Sequence, residues 1–337
     1  MTPRETVLQQ IRHHETSPVP YTLDLESVVA ERLDTFYGGK SWRQRLTPYL
    51  VHCGGIPTMD KEPVDGNRAR DKFGSLWRLD LRPFHLEEPA LKEPSLDGYA
   101  FPTPEVFKAP GLKENAENAK RANPESFSYV NIPWGLWETC WAMRGFENAL
   151  MDCIDAPRFF EALLDKLTDL YLAHVAECAP AQVDAIMFGD DWGDQRSVMV
   201  GPERWRRFFK PRYARIYQAV HAQGKIVISH CCGSVAEIMP DIIDIGLDVL
   251  ESVQPEARGM NPYELKRKWG DKITFWGCLG SQRTIPFGTP EEIRSEVRRL
   301  RTEMGKGGGY ILAPAKTLQP ETPTENAVAL VEAFTHP

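Results

Sequence analysis

Residues His230, Cys231 and Cys232 put an imidazole and two thiols at the end of the β-forming run KIVIS. In an extended backbone, side chains two positions apart face the same way. His230 and Cys232 therefore share a side, and Cys231 faces away. An imidazole nitrogen and a thiolate on one side suit a single zinc ion. The same triplet also admits a thiol activated by the neighbouring ring, or three residues that only pack.

Other chemistry-bearing residues recur at comparable places. Asp190 and Asp191 follow the apolar run AIMFG and lead into Trp192 and Gln195. This carboxylate pair admits three uses: capping the helix that begins near Pro202, holding a substrate amine, or acting as acid and base. Glu251 and Gln254 sit in and after LDVLESV, and Cys278 and Gln282 in and after KITFWGCLG. Trp134 and Glu138 follow FSYVNIP. Lys316 follows the apolar YILAPA, where a lysine calls for an anionic substrate or a carboxylate partner.

These residues need a frame that brings distant segments together. From residue 184 onward the chain reads as five strand–helix units in succession. In one of them, Trp205, Phe209, Tyr213, Ile216 and Val220 form a helical stripe, with Pro202 in the first turn, Pro211 as a kink and Gly224 as the cap. Such alternation implies a parallel sheet, because parallel strands need crossover connections. The strands are almost wholly apolar, as sheets covered on both faces require. VPYTLDL, YLVHCGG and FSYVNIPWG supply three more strands. The count predicts an α/β fold, a (β/α)8 TIM barrel with N-terminal helices, as one domain over residues 1–337. Residues 60–127 break the alternation and are expected to form an irregular excursion with a hairpin at the barrel mouth. In such a barrel the C-terminal strand ends carry the chemistry, so all the residues above are expected on one rim.

Composition narrows the function. The 337 residues are 42% hydrophobic and carry a formal net charge of -7, which gives no electrostatic reason to bind nucleic acid or an anionic membrane. No apolar run approaches the ~20 residues that span a bilayer. The opening residues lack the apolar core of a secretion signal, so a cytoplasmic protein is expected. Seven scattered cysteines, an odd number, fit free thiols in a reducing compartment.

The stretches MFGDDWGDQ, PERWRRFFKPRYARI, HAQGKIVISHCCGSV, the long run from Met239 to Gln282 and GGGYILAPAKTLQPETPTEN together resemble the uroporphyrinogen decarboxylase superfamily over residues 128–335. That resemblance implies a (β/α)8 barrel with its cleft at the strand C-termini. It also implies one of two activities: cofactor-free decarboxylation of uroporphyrinogen, or zinc-dependent methyl transfer to or from cobalamin carried on a small corrinoid-binding partner protein. In the methyltransferases a His-x-Cys pair after strand five and a cysteine after strand eight hold the zinc. His230 and Cys232 match the pair, whereas Lys316 stands where the last cysteine is expected. Glu251 or Cys278 would then complete the ligand set. The decarboxylases carry an early arginine-rich motif that grips substrate carboxylates, and residues 1–60 lack it.

The expectation is thus a corrinoid-linked, zinc-dependent methyltransferase acting on a small methylated or methoxylated molecule. Its zinc ligands are drawn from His230, Cys232, Glu251 and Cys278. Asp190, Asp191, Gln195 and Lys316 are its catalytic groups, and Trp134, Glu138, Trp192, Gln254 and Gln282 contact substrate. The alternatives are a metal-free decarboxylase of a smaller acid, with Lys316 on the carboxylate, and a catalytically silent binding protein.

Overall fold

The computed structural model describes residues 1–335. Its strands are β1 (Leu50–Gly55), β2 (Lys61–Asp65), β3 (Arg68–Asp71), β4 (Leu76–Arg78), β5 (His85–Glu88), β6 (Phe127–Ile132), β7 (Ala185–Gly189), β8 (Ile226–His230), β9 (Val249–Val253), β10 (Thr274–Leu279) and β11 (Tyr310–Pro314). Seven of them form one parallel sheet in the order β1-β6-β7-β8-β9-β10-β11. Helices connect them, and β10 and β11 are buried along their whole length, as a sheet covered on both faces must be.

The sheet has seven strands where eight are expected. VPYTLDL forms no strand and makes only two isolated parallel bridges, Tyr21 with Leu312 and Leu25 with Leu318. Its backbone still runs beside β11: Thr22 N–H donates to Leu312 O, and Leu312 N–H to Pro20 O, both at 2.9 Å. Two prolines, Pro18 and Pro20, flank its entry and remove ladder donors, which accounts for the short pairing.

Between β1 and β6 the chain leaves the alternation, as its composition suggests. Instead of one hairpin it forms a four-stranded antiparallel sheet in the order β2-β3-β4-β5. Two contacts anchor this sheet. Asp71 gathers the N–H groups of Phe73, Ser75 and the Trp77 indole. Trp77 then packs against Trp134 and Trp141, with ring centroids 5.5 and 6.0 Å apart. Because Trp134 follows β6, the small sheet lies against the C-terminal end of that strand.

Crossover helices follow local rules. Pro157 opens the helix Pro157–Glu177, and Thr289 with Glu292 makes a capping box on Pro290–Arg299. The helix after β7 is broken at Phe209 into Pro202–Phe208 and Lys210–His221, next to Pro211. Among the described residues no helix is long and apolar enough to cross a membrane. All seven cysteines are free thiols.

Candidate functional site

His230 is the last residue of β8, and Cys232 lies just beyond it. Their side chains turn to one side, with Cys232 Sγ 3.3 Å from His230 Nε2. Asp191, two residues past β7, brings its Oδ1 to 3.6 Å from the same nitrogen. The Asp191, His230 and Cys232 donor atoms all lie within 4.8 Å of one another. Cys232 N–H donates to Asp191 Oδ1 at 2.7 Å, which ties the two strand ends together. Gly233 makes the loop possible. Its φ is +78°, and a Cβ there would strike the backbone of Gly193 and Asp194.

Glu251, on the neighbouring β9, accepts a hydrogen bond from His230 Nδ1. This fixes the ring and directs Nε2 at Cys232 and Asp191. Burial works against a charge on His230, yet Glu251 and Cys232 hold its pKa well above the ordinary imidazole value. A position this attractive to positive charge, with oxygen, nitrogen and sulfur donors converging on it, suits zinc. The carboxylate behind the ring supplies the outer support that zinc-bound imidazoles usually have. The donor set therefore fits the metal. Asp191, rather than Glu251 or Cys278, stands as its third member.

The cluster opens into a cavity of about 430 Å³ lined by Thr22, Asp24, Asp191, His230, Cys232, Glu251 and Lys316, among others. A second lobe of about 270 Å³ shares Asp191, His230 and Met187 and adds Asn131, Trp134 and Glu138. Lys316 and Trp134 thus face the same space as the donor cluster. Trp134 has a φ of +57°, and its carbonyl accepts from the Tyr171 hydroxyl, which holds the indole at the rim. Burial, then the carboxylates of Asp190 and Asp191, push the Glu138 carboxyl up to about 8.

Several expected site residues are placed elsewhere. Asp190 is fully buried and away from the cavity. Its carboxylate accepts from Trp137 N–H at 3.0 Å, Glu138 N–H at 2.9 Å, the Trp192 indole at 2.7 Å and the Tyr213 hydroxyl. It thereby caps the helix Leu136–Arg144 from another strand. Burial pushes it up to about 6, against four donors that favour its ionised form. Trp192 is a core residue, stacked edgewise on Trp205 and Tyr213 and 2% exposed.

Gln195 and Gln254 form a mutual amide pair, at 3.2 and 3.3 Å, and Gly233 N–H donates to Gln254 Oε1. Both brace the loop around Cys232 and line neither lobe. Gln282 is exposed, and its backbone N–H donates to Glu256. Cys278 lines neither lobe; burial pushes its thiol up, with Glu296 and Lys266 as the charges that act on it. The cause is local. The β9–β10 register shifts between Trp276 and Gly277, and Gly277 and Cys278 have φ of +119° and +74°. That twist turns Cys278 away from the side that Trp276 faces.

Asp24 joins the site although no motif marks it. It lines the larger lobe, and burial followed by the Glu251 charge raises its pKa. It is the one acid in VPYTLDL, so the rule applied to the other strand ends also points to it.

The chain resembles known proteins in sequence and in fold. A sequence model of the uroporphyrinogen decarboxylase (URO-D) family matches residues 119–336. The methylcobamide:CoM methyltransferase MtaA of Methanosarcina barkeri is 29% identical over 177 residues, which cover 52% of this chain and 48% of that protein. A uroporphyrinogen decarboxylase of Coxiella burnetii is 26% identical over 213 residues, covering 61% of this chain and 56% of that one. The chain spans about half the length of these curated relatives. A solved methyltransferase from Methanosarcina mazei has the same fold, with a TM-score of 0.72 at 19% identity, covering 99% of this chain and 98% of that one. With more than half of its length matched by the family model, the chain belongs to the uroporphyrinogen decarboxylase (URO-D) family.

Proposed function

We propose that this protein moves a methyl group between a small methylated or methoxylated molecule and a cobalamin carried by a partner corrinoid protein in the cytoplasm. The observation that carries the reading is the convergence of Asp191, His230 and Cys232, with Glu251 fixing the ring. Residues 20–26 are read here as the reduced first strand of an eight-stranded barrel, which places all these groups at one mouth.

Asp191, His230 and Cys232 would hold zinc, which supplies Lewis acidity toward a substrate oxygen or sulfur. Glu251 keeps His230 Nδ1 protonated and the ring aligned. Lys316 neutralises negative charge on a substrate entering the larger lobe. Trp134 and Met187 wall the smaller lobe and exclude water from the methyl group's path.

The MtaA relative supports this reading. The test is corrinoid turnover. The visible spectrum of methylcobalamin with a small thiol, or of reduced cobalamin with a panel of methoxylated molecules, should change only when the protein is present. No corrinoid change in either arm, with carbon dioxide released from a small acid instead, would favour a second reading. In it Lys316 grips a carboxylate and the protein is a metal-free decarboxylase; the Coxiella relative is named a uroporphyrinogen decarboxylase. That reading expects insensitivity to chelators and loss of turnover in Lys316→Met.

A further inference from the structure

We infer that a cavity at the opposite end of the sheet binds a small phosphorylated organic molecule. It lies at the N-terminal strand ends, where Ser126, Asp184, Ile226 and Asp248 flank or begin β6, β7, β8 and β9. Ile226 and His230 are the two ends of β8, so the cavity is ~13 Å of strand away from the donor cluster.

Four cations line it, Arg4, Arg12, Lys120 and Lys225, against two carboxylates, Asp184 and Asp248. Both carboxylates are already engaged. Asp184 takes Arg4 at 2.7 Å together with the N–H and hydroxyl of Ser128, and Asp248 takes His221 and Val227 N–H, each at 2.8 Å. Lys120 reaches only the Gln182 carbonyl. Arg12 and Lys225 have no ion-pair or hydrogen-bond partner for their side chains among the described residues. A cationic basin in a chain of net charge -7 is a local arrangement rather than a consequence of composition.

Lys225 is the decisive residue. It is 9% exposed, it lines the cavity, and no carboxylate among the described residues pairs with it. Lysines are almost never so buried without a partner. Burial lowers its pKa, and the Cys178 thiol offsets this only in part. An anion in the cavity would remove that penalty.

The chemistry of the walls selects the anion. Arginine forks and lysine point charges together match a phosphate dianion. The volume, about 1040 Å³, far exceeds one phosphate, and Leu8, Ile11, Val183 and Ile226 add apolar wall. A phosphomonoester with an apolar or planar body fits both features. Arg4 and Arg12 bracket the helix Pro3–Ile11, so the ligand would clamp this helix to the foot of the sheet. It acts on stability rather than on the reacting atoms.

The experiment is calorimetric titration and thermal unfolding of the full chain at fixed ionic strength. Adenosine monophosphate and inorganic phosphate are the probes, and adenosine is the control. Saturable binding of the monophosphate, with a raised Tm and no response to adenosine, is expected. Lys225→Met and, separately, the exposed Arg12→Gln should each weaken it about ten-fold or more, the worth of one charge-assisted hydrogen bond. Lys225→Arg should retain binding, and His230→Ala should leave it unchanged. The inference is overturned if wild-type protein shows no saturable binding of the monophosphate at millimolar concentration, or if adenosine binds equally well. It is also overturned if Lys225→Met and Arg12→Gln both fold and bind the monophosphate as wild type does.

Discussion

His230 Nε2 stands 3.3 Å from Cys232 Sγ, while the other nitrogen of the same ring is held by Glu251. The two ring nitrogens are thereby given different tasks. Nδ1 is committed to the protein, and Nε2 is presented to the cavity beside a sulfur and the Asp191 oxygen. Without Glu251 on Nδ1 the ring could rotate about its χ2, and the donors would no longer converge.

Replacing Glu251 by Gln tests that division of labour. An amide keeps the volume but is a weaker acceptor, so the ring loses both orientation and basicity. Zinc affinity should fall about 10- to 100-fold with the fold intact. Competition against a chromophoric chelator measures this, and unchanged affinity would show that Glu251 has no part in holding the ring.

Asp190 caps the helix Leu136–Arg144 from within the core, and Asp190→Asn tests that structural part. The asparagine cannot satisfy the donors of Trp137, Glu138, Trp192 and Tyr213 that converge on the carboxylate. Buried donors left unpaired should cost about 3 kcal/mol in urea unfolding. Zinc content of the folded fraction should stay at the wild-type value, and its loss would move Asp190 into the site.

Cys278→Ala separates the outward cysteine from the cluster. The side chain is 1% exposed and packed, so a small loss of stability, about 1 kcal/mol, is expected from the missing sulfur. Metal content measured by mass spectrometry should not change. A loss of metal would mean that Cys278 reaches the cluster from β10.

What the sequence discloses follows from what its patterns encode. Alternating apolar runs and helical stripes encode the parallel sheet and its crossovers, and the spacing of two encodes the common side of His230 and Cys232. Neither pattern encodes backbone twist at strand ends. Cys278 is turned outward by positive φ at two consecutive residues, which no spacing rule registers. Asp190 and Asp191 are adjacent and chemically identical, yet one enters the core and the other the cavity. Helix Leu136–Arg144, which needs a cap, decides which. VPYTLDL makes only isolated bridges beside β11, because of prolines that a count of apolar runs overlooks.

Acid sensitivity should come from a residue remote from the site. His174 is buried between Phe107 and Tyr171, at centroid distances of 5.1 and 5.4 Å, and its Nε2 has no protein partner. Burial, helped by Lys72, lowers its pKa from 6.5 to about 4. The unfolded chain therefore binds this proton first. Stability from His174 is complete above pH 6.5 and is lost as pH falls from 6.5 toward 4, by ~3 kcal/mol in all. Urea unfolding across this range should show the decline, and His174→Phe should flatten it. An equal decline in the variant would assign the effect to other groups.

The most direct measurement is the zinc content of the purified chain, by mass spectrometry, beside that of Asp191→Ala, His230→Ala and Cys232→Ala. One zinc per wild-type chain and its loss in each folded variant are expected from the Asp191, His230 and Cys232 cluster. A metal-free wild type that cannot be loaded with zinc, or variants that keep full occupancy, would contradict the site.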